Sequence, residues 1–75
     1  MKILKKGDFS RKVLAELAPG DSVVVLCDNG SQVASISSMC GQEPRRHPRQ
    51  DVSSYSYRSA QKDGDWVVNV TAIPS

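Results

Sequence analysis

Apolar and polar positions along this chain alternate in distinct rhythms, and each rhythm selects an element. Phe9, Val13, Leu14 and Leu17 recur at helical spacing behind Asp8, a residue type that caps helices, and Pro19-Gly20 closes the run. A helix over Phe9 to Ala18 is expected, about three turns long, too short to persist unless its stripe packs on a sheet. Ser22 to Cys27 reads Ser-Val-Val-Val-Leu-Cys, the continuous apolar run of a strand that is buried or central in its sheet.

Asp28-Asn29-Gly30 can be read as a hairpin turn, through Asn-Gly, or as a helix cap before Ser31-Gln32. Within Ser31 to Gly41, Val33, Ile36 and Cys40 follow a period near 3.6, with Ala34 and Met39 beside them, which favours a helix ending at Gly41. A second strand hairpinned to the first is the alternative. Gln42 to Asp51 contains Pro44 and Pro48 and no apolar side chain, so it is expected to be an exposed loop that buries nothing. Val52 to Ser59 alternates, and Trp66 to Ile73 is rich in strand formers. Asp63-Gly64 between them is a turn signal, so a β-hairpin from roughly Tyr55 to Ile73 closes the chain.

The resulting order, helix, strand, helix, strand, strand, predicts an α+β fold: a small antiparallel sheet with one or two helices on one face. It is also the element order of winged-helix domains, with the loop in the place of the recognition helix and the hairpin in that of the wing. Pro44 and Pro48 interrupt the segment that would have to enter a major groove as a clean helix. At 75 residues, positions 1–75 form one domain around one core. Cores this small are often reinforced by a metal, a disulfide or a partner subunit, so a homodimer is one of the expected states.

Charge changes this picture only locally. A formal net charge of +2 does not make the domain a polycation, so attraction to nucleic acid must come from clustering. Met1 to Lys6 begins like a signal sequence, but Gly7-Asp8 follows and no apolar stretch of export length appears. No membrane span is present in the sequence. Cys27 and Cys40 are therefore expected as reduced thiols in a cytoplasm.

Cys27, Cys40 and His47 are zinc-ligand types, but their spacing fits no zinc pattern and a fourth ligand would have to come from Asp28 or Asp51. The plainer reading makes Cys27 and Cys40 packing residues and His47 a solvated side chain, with no metal. No serine or cysteine stands in a strand-to-helix elbow beside the single histidine, and Gly20, Gly30, Gly41 and Gly64 each stand alone at a turn. Neither an enzyme nor a cofactor is expected. The strongest candidate site is the basic cluster Arg45, Arg46, His47 and Arg49 followed by Tyr55, Tyr57 and Arg58. Arginine forks bind phosphate, and tyrosines can stack on exposed bases. Against this stands a solvated loop whose arginines pair with Glu43 and Asp51. Tyr55 and Tyr57 share a strand face, so both are expected to be buried or both displayed. Trp66 is expected to pack on the core face of the hairpin.

Leu17-Ala-Pro-Gly-Asp-Ser-Val-Val-Val25, the later Tyr57-Arg58 strand and Gly64-Asp-Trp-Val-Val-Asn-Val70 together resemble small accessory proteins encoded by bacteriophages. The pattern is a leucine, a Pro-Gly-acidic turn, a valine strand, a helix, and a closing Ser/Thr-Arg hairpin, and it covers nearly all of the chain. The resemblance implies a compact α+β fold and a non-enzymatic role in regulation or in disabling a host factor. It supplies no site residues. The proline-bearing basic loop departs from the pattern, where a longer helix would stand. The expected function is thus a small cytoplasmic regulator, in a host cell if phage-encoded, that binds nucleic acid, DNA before RNA, through the loop and hairpin. The alternative is a protein-binding inhibitor or anti-defence factor that blocks a host enzyme; an oligomer-forming virion accessory is a third class.

Overall fold

The computed structural model describes residues 2–75, with all of their side chains except those of Lys2 and Lys62. Its strands are β1 (Lys2–Lys5), β2 (Ser22–Cys27), β3 (Val52–Lys62) and β4 (Asp65–Pro74), and its helices are α1 (Arg11–Glu16) and α2 (Gly30–Arg46). The four strands form one mixed sheet in the order β1-β2-β4-β3. β2 runs parallel to β1 and antiparallel to β4, and β4 is antiparallel to β3. The α+β class is as the sequence predicts, but the sheet is larger than expected and one of its pairs is parallel. β1 escapes sequence reading because four residues, two of them terminal lysines, show too little alternation to mark a strand.

The C-terminal hairpin closes as its turn chemistry requires. Asp63 and Gly64 hold φ of 52° and 84°, the pair of positive values that a two-residue hairpin turn needs, so the Asp-Gly dipeptide fits its place. The core lies on one face of the sheet. Val23, Val25 and Cys27 of β2 stand in register with Val70, Val68 and Trp66 of β4, and Leu14 of α1 and Ile36 and Cys40 of α2 cover that face. Each fully buried Val, Leu or Ile contributes about 1.5–3 kcal/mol by leaving water.

α1 is shorter than its stripe suggests. Asp8 belongs to a 3₁₀ turn over Lys6–Asp8, Phe9 is extended, and Ser10 occupies the cap position. All four predicted stripe residues still point inward, with Phe9 and Leu14 buried and Val13 and Leu17 packed against the cluster. Leu17 leaves the helix just before Ala18-Pro19, where the proline disfavours helical backbone at its predecessor.

The second helix settles the ambiguity at Asn29. The Asn29 side chain accepts from the Gln32 N–H at 3.1 Å, and Gln32 Oε1 accepts from the Asp28 N–H at 2.7 Å, a reciprocal cap that starts a helix and excludes the hairpin. The expected stop at Gly41 and the expected loop over Gln42–Asp51 are corrected: the helix continues through Pro44 to Arg46. Pro44 gives up the N–H that would reach the Cys40 carbonyl and crowds that carbonyl, and the helix ends two residues later, where His47 N–H meets the Glu43 carbonyl at 2.9 Å. The continuation also buries something, for Glu43 is only 2% exposed. One uninterrupted helix therefore joins β2 to β3, with no separate element where a winged-helix domain places its recognition helix.

The opposite face of the sheet carries no helix. Ile3, Val24, Leu26 and Val67 lie on it, with Ile3 64% and Leu26 43% exposed.

Candidate nucleic-acid interface

The cluster that is continuous in sequence is divided by the end of α2. Arg45 and Arg46 occupy its last turn and His47 its cap, all exposed. Cations at this end also complement the negative pole of the helix. Arg49, two residues beyond the cap, turns inward. Its Nη1 donates at the end of α1 to the carbonyl of Leu14 at 3.2 Å, which also accepts from the Leu17 N–H, and to that of Leu17 at 2.7 Å. Nε and Nη2 donate to the two carboxylate oxygens of Asp51 at 3.1 and 3.0 Å. These bonds hold the Arg49 guanidinium even more firmly protonated than usual, with Tyr55 and then Asp51 as the main causes. Arg49 is a clamp for α1, and the expected pairing with Asp51 is present; a pairing with Glu43 is not among the described ion pairs.

The tyrosines separate as well. Tyr55 and Tyr57 share the helix-covered face, opposite Ala72 and Val70, but the expectation of a common fate is corrected. Tyr55 is 8% exposed and donates to the Leu14 carbonyl at 3.1 Å, whereas Tyr57 is 42% exposed and its hydroxyl accepts from Ser37 at 2.7 Å. The reason is coverage: α1 ends over Tyr55, and only the side of α2 reaches Tyr57. Arg58 lies on the opposite, bare face, in register with Asn69. Trp66 is half-buried against the core, in line with the expected packing. The hairpin therefore does not join Tyr57 and Arg58 on one surface.

A different set of cations is brought together by the fold. The 3₁₀ turn and α1 run beside α2, and the furrow between them is lined by Lys6 and Arg11 on one bank and Ser31, Ser35, Ser38 and Gln42 on the other, a space of about 530 Å³. Arg11 Nη2 crosses it to Gln42 Oε1 at 3.3 Å. Beyond Arg11 the furrow continues into a smaller one of about 330 Å³ lined by Arg11, Lys12, Ala15, Glu43 and His47. Among the described residues the one ion pair is Arg49 with Asp51, so Lys6, Arg11, Lys12, Arg45 and Arg46 carry unneutralised charge along this side. Sequence reading missed Lys6, Arg11 and Lys12 because they lie some thirty positions from the arginines they join. For Arg11 and Lys12 the available signal was their outward position on a helix whose opposite face is apolar.

Two other features compare poorly. A concavity of about 560 Å³ at the carboxyl ends of β1 and β2 sets Lys5 and Lys6 against Asp8, Asp28 and Asp65, a balance that does not select an anion. Cys27 and Cys40 are both free and buried. Burial pushes the Cys40 thiol up to about 11 and raises that of Cys27, where Lys6 opposes and Asp28 reinforces the shift. Both are weak nucleophiles near neutral pH. Among the described residues no group of three or more His, Cys, Asp or Glu gathers as a metal site, and no helix is long and apolar enough to cross a membrane. Compared with known protein families, curated proteins and solved structures, the chain matches none.

Proposed function

We propose that this chain is a small nucleic-acid-binding regulator, of the bacteriophage type its sequence resembles, and that it holds the phosphate chain in the furrow between α1 and α2. The observation that carries the reading is the lining of that furrow: arginine and lysine on one bank, serine hydroxyls and a glutamine amide on the other, and no exposed carboxylate among the lining residues. These are the side chains that contact phosphate and sugar oxygens. Arg45 and Arg46 extend the positive side past the end of α2. Five cations that each neutralise one phosphate give a salt slope of about −4.5 on duplex DNA or −3.5 on single strands. Fluorescence anisotropy at low salt with labelled single- and double-stranded oligonucleotides tests this. Binding that strengthens as salt is lowered is expected, and no binding below about 100 µM, the weak end of non-specific affinity, overturns it.

A second reading rests on a separate observation, the bare sheet face with Ile3 and Leu26 exposed beside Val24 and Val67. Exposed apolar groups that adjoin one another mark protein-binding surfaces. On this reading the chain is an inhibitor that covers a host enzyme. Affinity capture from nuclease-treated lysate discriminates the two: a stoichiometric protein that is lost with Leu26→Ser but kept with Arg45→Ala/Arg46→Ala favours the inhibitor.

A further inference from the structure

The two edges of the sheet differ. β1 is four residues long and bounded by Lys2 and Lys5, a short, charged edge of the kind that does not recruit another strand. β3 is eleven residues long, with no proline, no acidic residue, a single cation, Arg58, between Val52 and Gln61, and a register irregularity only at Val52/Ser54. Which of its backbone groups face outward follows from its partner strand. Ala72 of β4 turns both its N–H and its carbonyl away from β3, to the Asp21 carbonyl at 3.0 Å and the Gly20 N–H at 2.8 Å. Tyr55, opposite Ala72, is therefore in a non-hydrogen-bonded pair, and its own N–H and carbonyl point to the free edge. Alternation extends this to Tyr57, Ser59 and Gln61, in agreement with the two-residue turn, which needs Lys62 and Asp65 as a hydrogen-bonded pair. Among the described residues no hydrogen bond reaches those outward groups.

Tyr57 adds a side-chain observation. It lies on the helix-covered face yet is 42% exposed, because β3 is the last strand and α2 reaches only the Tyr57 hydroxyl, through Ser37. A further strand beside β3 would cover it, and the sequence of β3 suits a second copy of itself. Tyr57 is the midpoint of Val52–Lys62, so an antiparallel pair with its two-fold axis there uses the full strand. It sets Tyr57 beside the second copy's Tyr57, Tyr55 beside the second copy's Ser59 and Ser56 beside the second copy's Arg58. Aromatic meets aromatic and no like charges are opposed, whereas an axis at Arg58 would oppose two arginines. Outward backbone groups meet outward backbone groups, and the helix-covered face continues across the axis. The flank of α2 beside Tyr57 carries Val33, Ser37 and Gly41, none of them charged, so the second copy's α2 meets no repulsion there. We infer that two copies of this chain join through their β3 edges, antiparallel about Tyr57, into one eight-stranded sheet with both helix layers on the same side. The assembly closes, since only the short, lysine-bounded β1 edges remain at its ends. The α1–α2 furrow lies on the other flank of α2, lined by Ser31, Ser35, Ser38 and Gln42, so pairing leaves it open and does not depend on the nucleic-acid reading.

The test is hydrogen exchange read by NMR on the full chain at about 20 µM and about 1 mM, with sedimentation equilibrium over the same range. A dimer that dissociates on dilution is expected. The amides of Tyr55, Tyr57 and Ser59 should be protected at least about tenfold more at the higher concentration, while those of Ser56, Arg58 and Ala60, bonded to β4, stay protected at both. Ser59→Pro removes one outward N–H from each copy and no bond to β4, so it should keep the fold and weaken the dimer about tenfold or more. A chain that is still monomeric at about 1 mM, assemblies that grow beyond the dimer, or a dimer in which Tyr57 and Ser59 exchange as fast as in the monomer overturns the inference. So does a dimer that Ser59→Pro leaves intact and Leu26→Ser dissolves, which places the contact on the bare sheet face. Should Ser59→Pro fail to fold, the alternating exchange of the wild-type chain decides alone.

Discussion

Arg46 and Arg49 are three residues apart in one basic run, yet the fold uses them in opposite ways. On the helix side of His47 the arginines project from the last turn of α2 into solvent. On the strand side Arg49 reaches back under α1, where with Tyr55 it satisfies the Leu14 carbonyl and caps that of Leu17. The difference arises from what each position meets. α1 is a six-residue helix whose last carbonyls lack the i+4 N–H donors of a longer helix, and Arg49 is a donor placed against them. Arg45 and Arg46 meet no carboxylate within ion-pair distance among the described residues. A local count of charges in sequence therefore overstates the free charge in one half of the cluster and misses Lys6, Arg11 and Lys12, which join the other half in space.

Substitutions can pull the two halves apart. The largest effect is expected at Leu14, which is fully buried beneath the clamp: Leu14→Ala should cost about 2–5 kcal/mol, read by urea denaturation. A loss below 1 kcal/mol would mean that α1 is not held against the sheet as described. Arg49→Ala should come next, lowering the melting temperature because the Leu17 carbonyl and the Asp51 carboxylate lose their donor, while the Leu14 carbonyl keeps Tyr55 and the Leu17 N–H. Arg49→Lys should not restore it, since an ammonium cannot span that arrangement. Arg45→Ala/Arg46→Ala should leave stability within about 0.5 kcal/mol of wild type, as exposed substitutions do. If the double variant melts lower than Arg49→Ala, the division between clamp and free charge is wrong.

The smallest effect is a pH dependence from the buried thiol. Cys40 in the fold titrates near 11, above its ordinary 9.0, so the folded state keeps a proton that the unfolded chain releases first. The stabilisation is complete below pH 9 and is lost as pH rises from there toward 11. Cys40→Ala should flatten that part of the stability curve, and an identical decline in the variant would assign the loss to other groups.

Much of the architecture was legible because local signals agreed with one another. The valine strand, the Asp63-Gly64 turn and the α1 stripe each occupy the place their periodicity implies. The errors share one cause, which is tertiary context overriding a local rule. Lys2–Lys5 becomes a strand because β2 offers it a partner edge. Pro44 is tolerated because it falls in the last turn of α2, and that extra turn buries Glu43 in what reads as a polar loop. The candidate site was legible only at Arg45, Arg46 and His47. Its other bank comes from Lys6, Arg11 and Lys12, whose approach depends on how α1 lies beside α2.

On the proposed function, nucleic acid is held by the charges flanking the α1–α2 furrow and not by the hairpin. The most direct test is the salt dependence of binding to a labelled single strand, for wild type, Arg11→Ala/Lys12→Ala/Arg45→Ala/Arg46→Ala and Arg58→Ala. The wild-type log–log slope should be about −3.5, and the quadruple variant should lose about 2.8 of it, while Arg58→Ala leaves it unchanged. A slope that survives the quadruple substitution, or one that falls with Arg58→Ala, would contradict the claim.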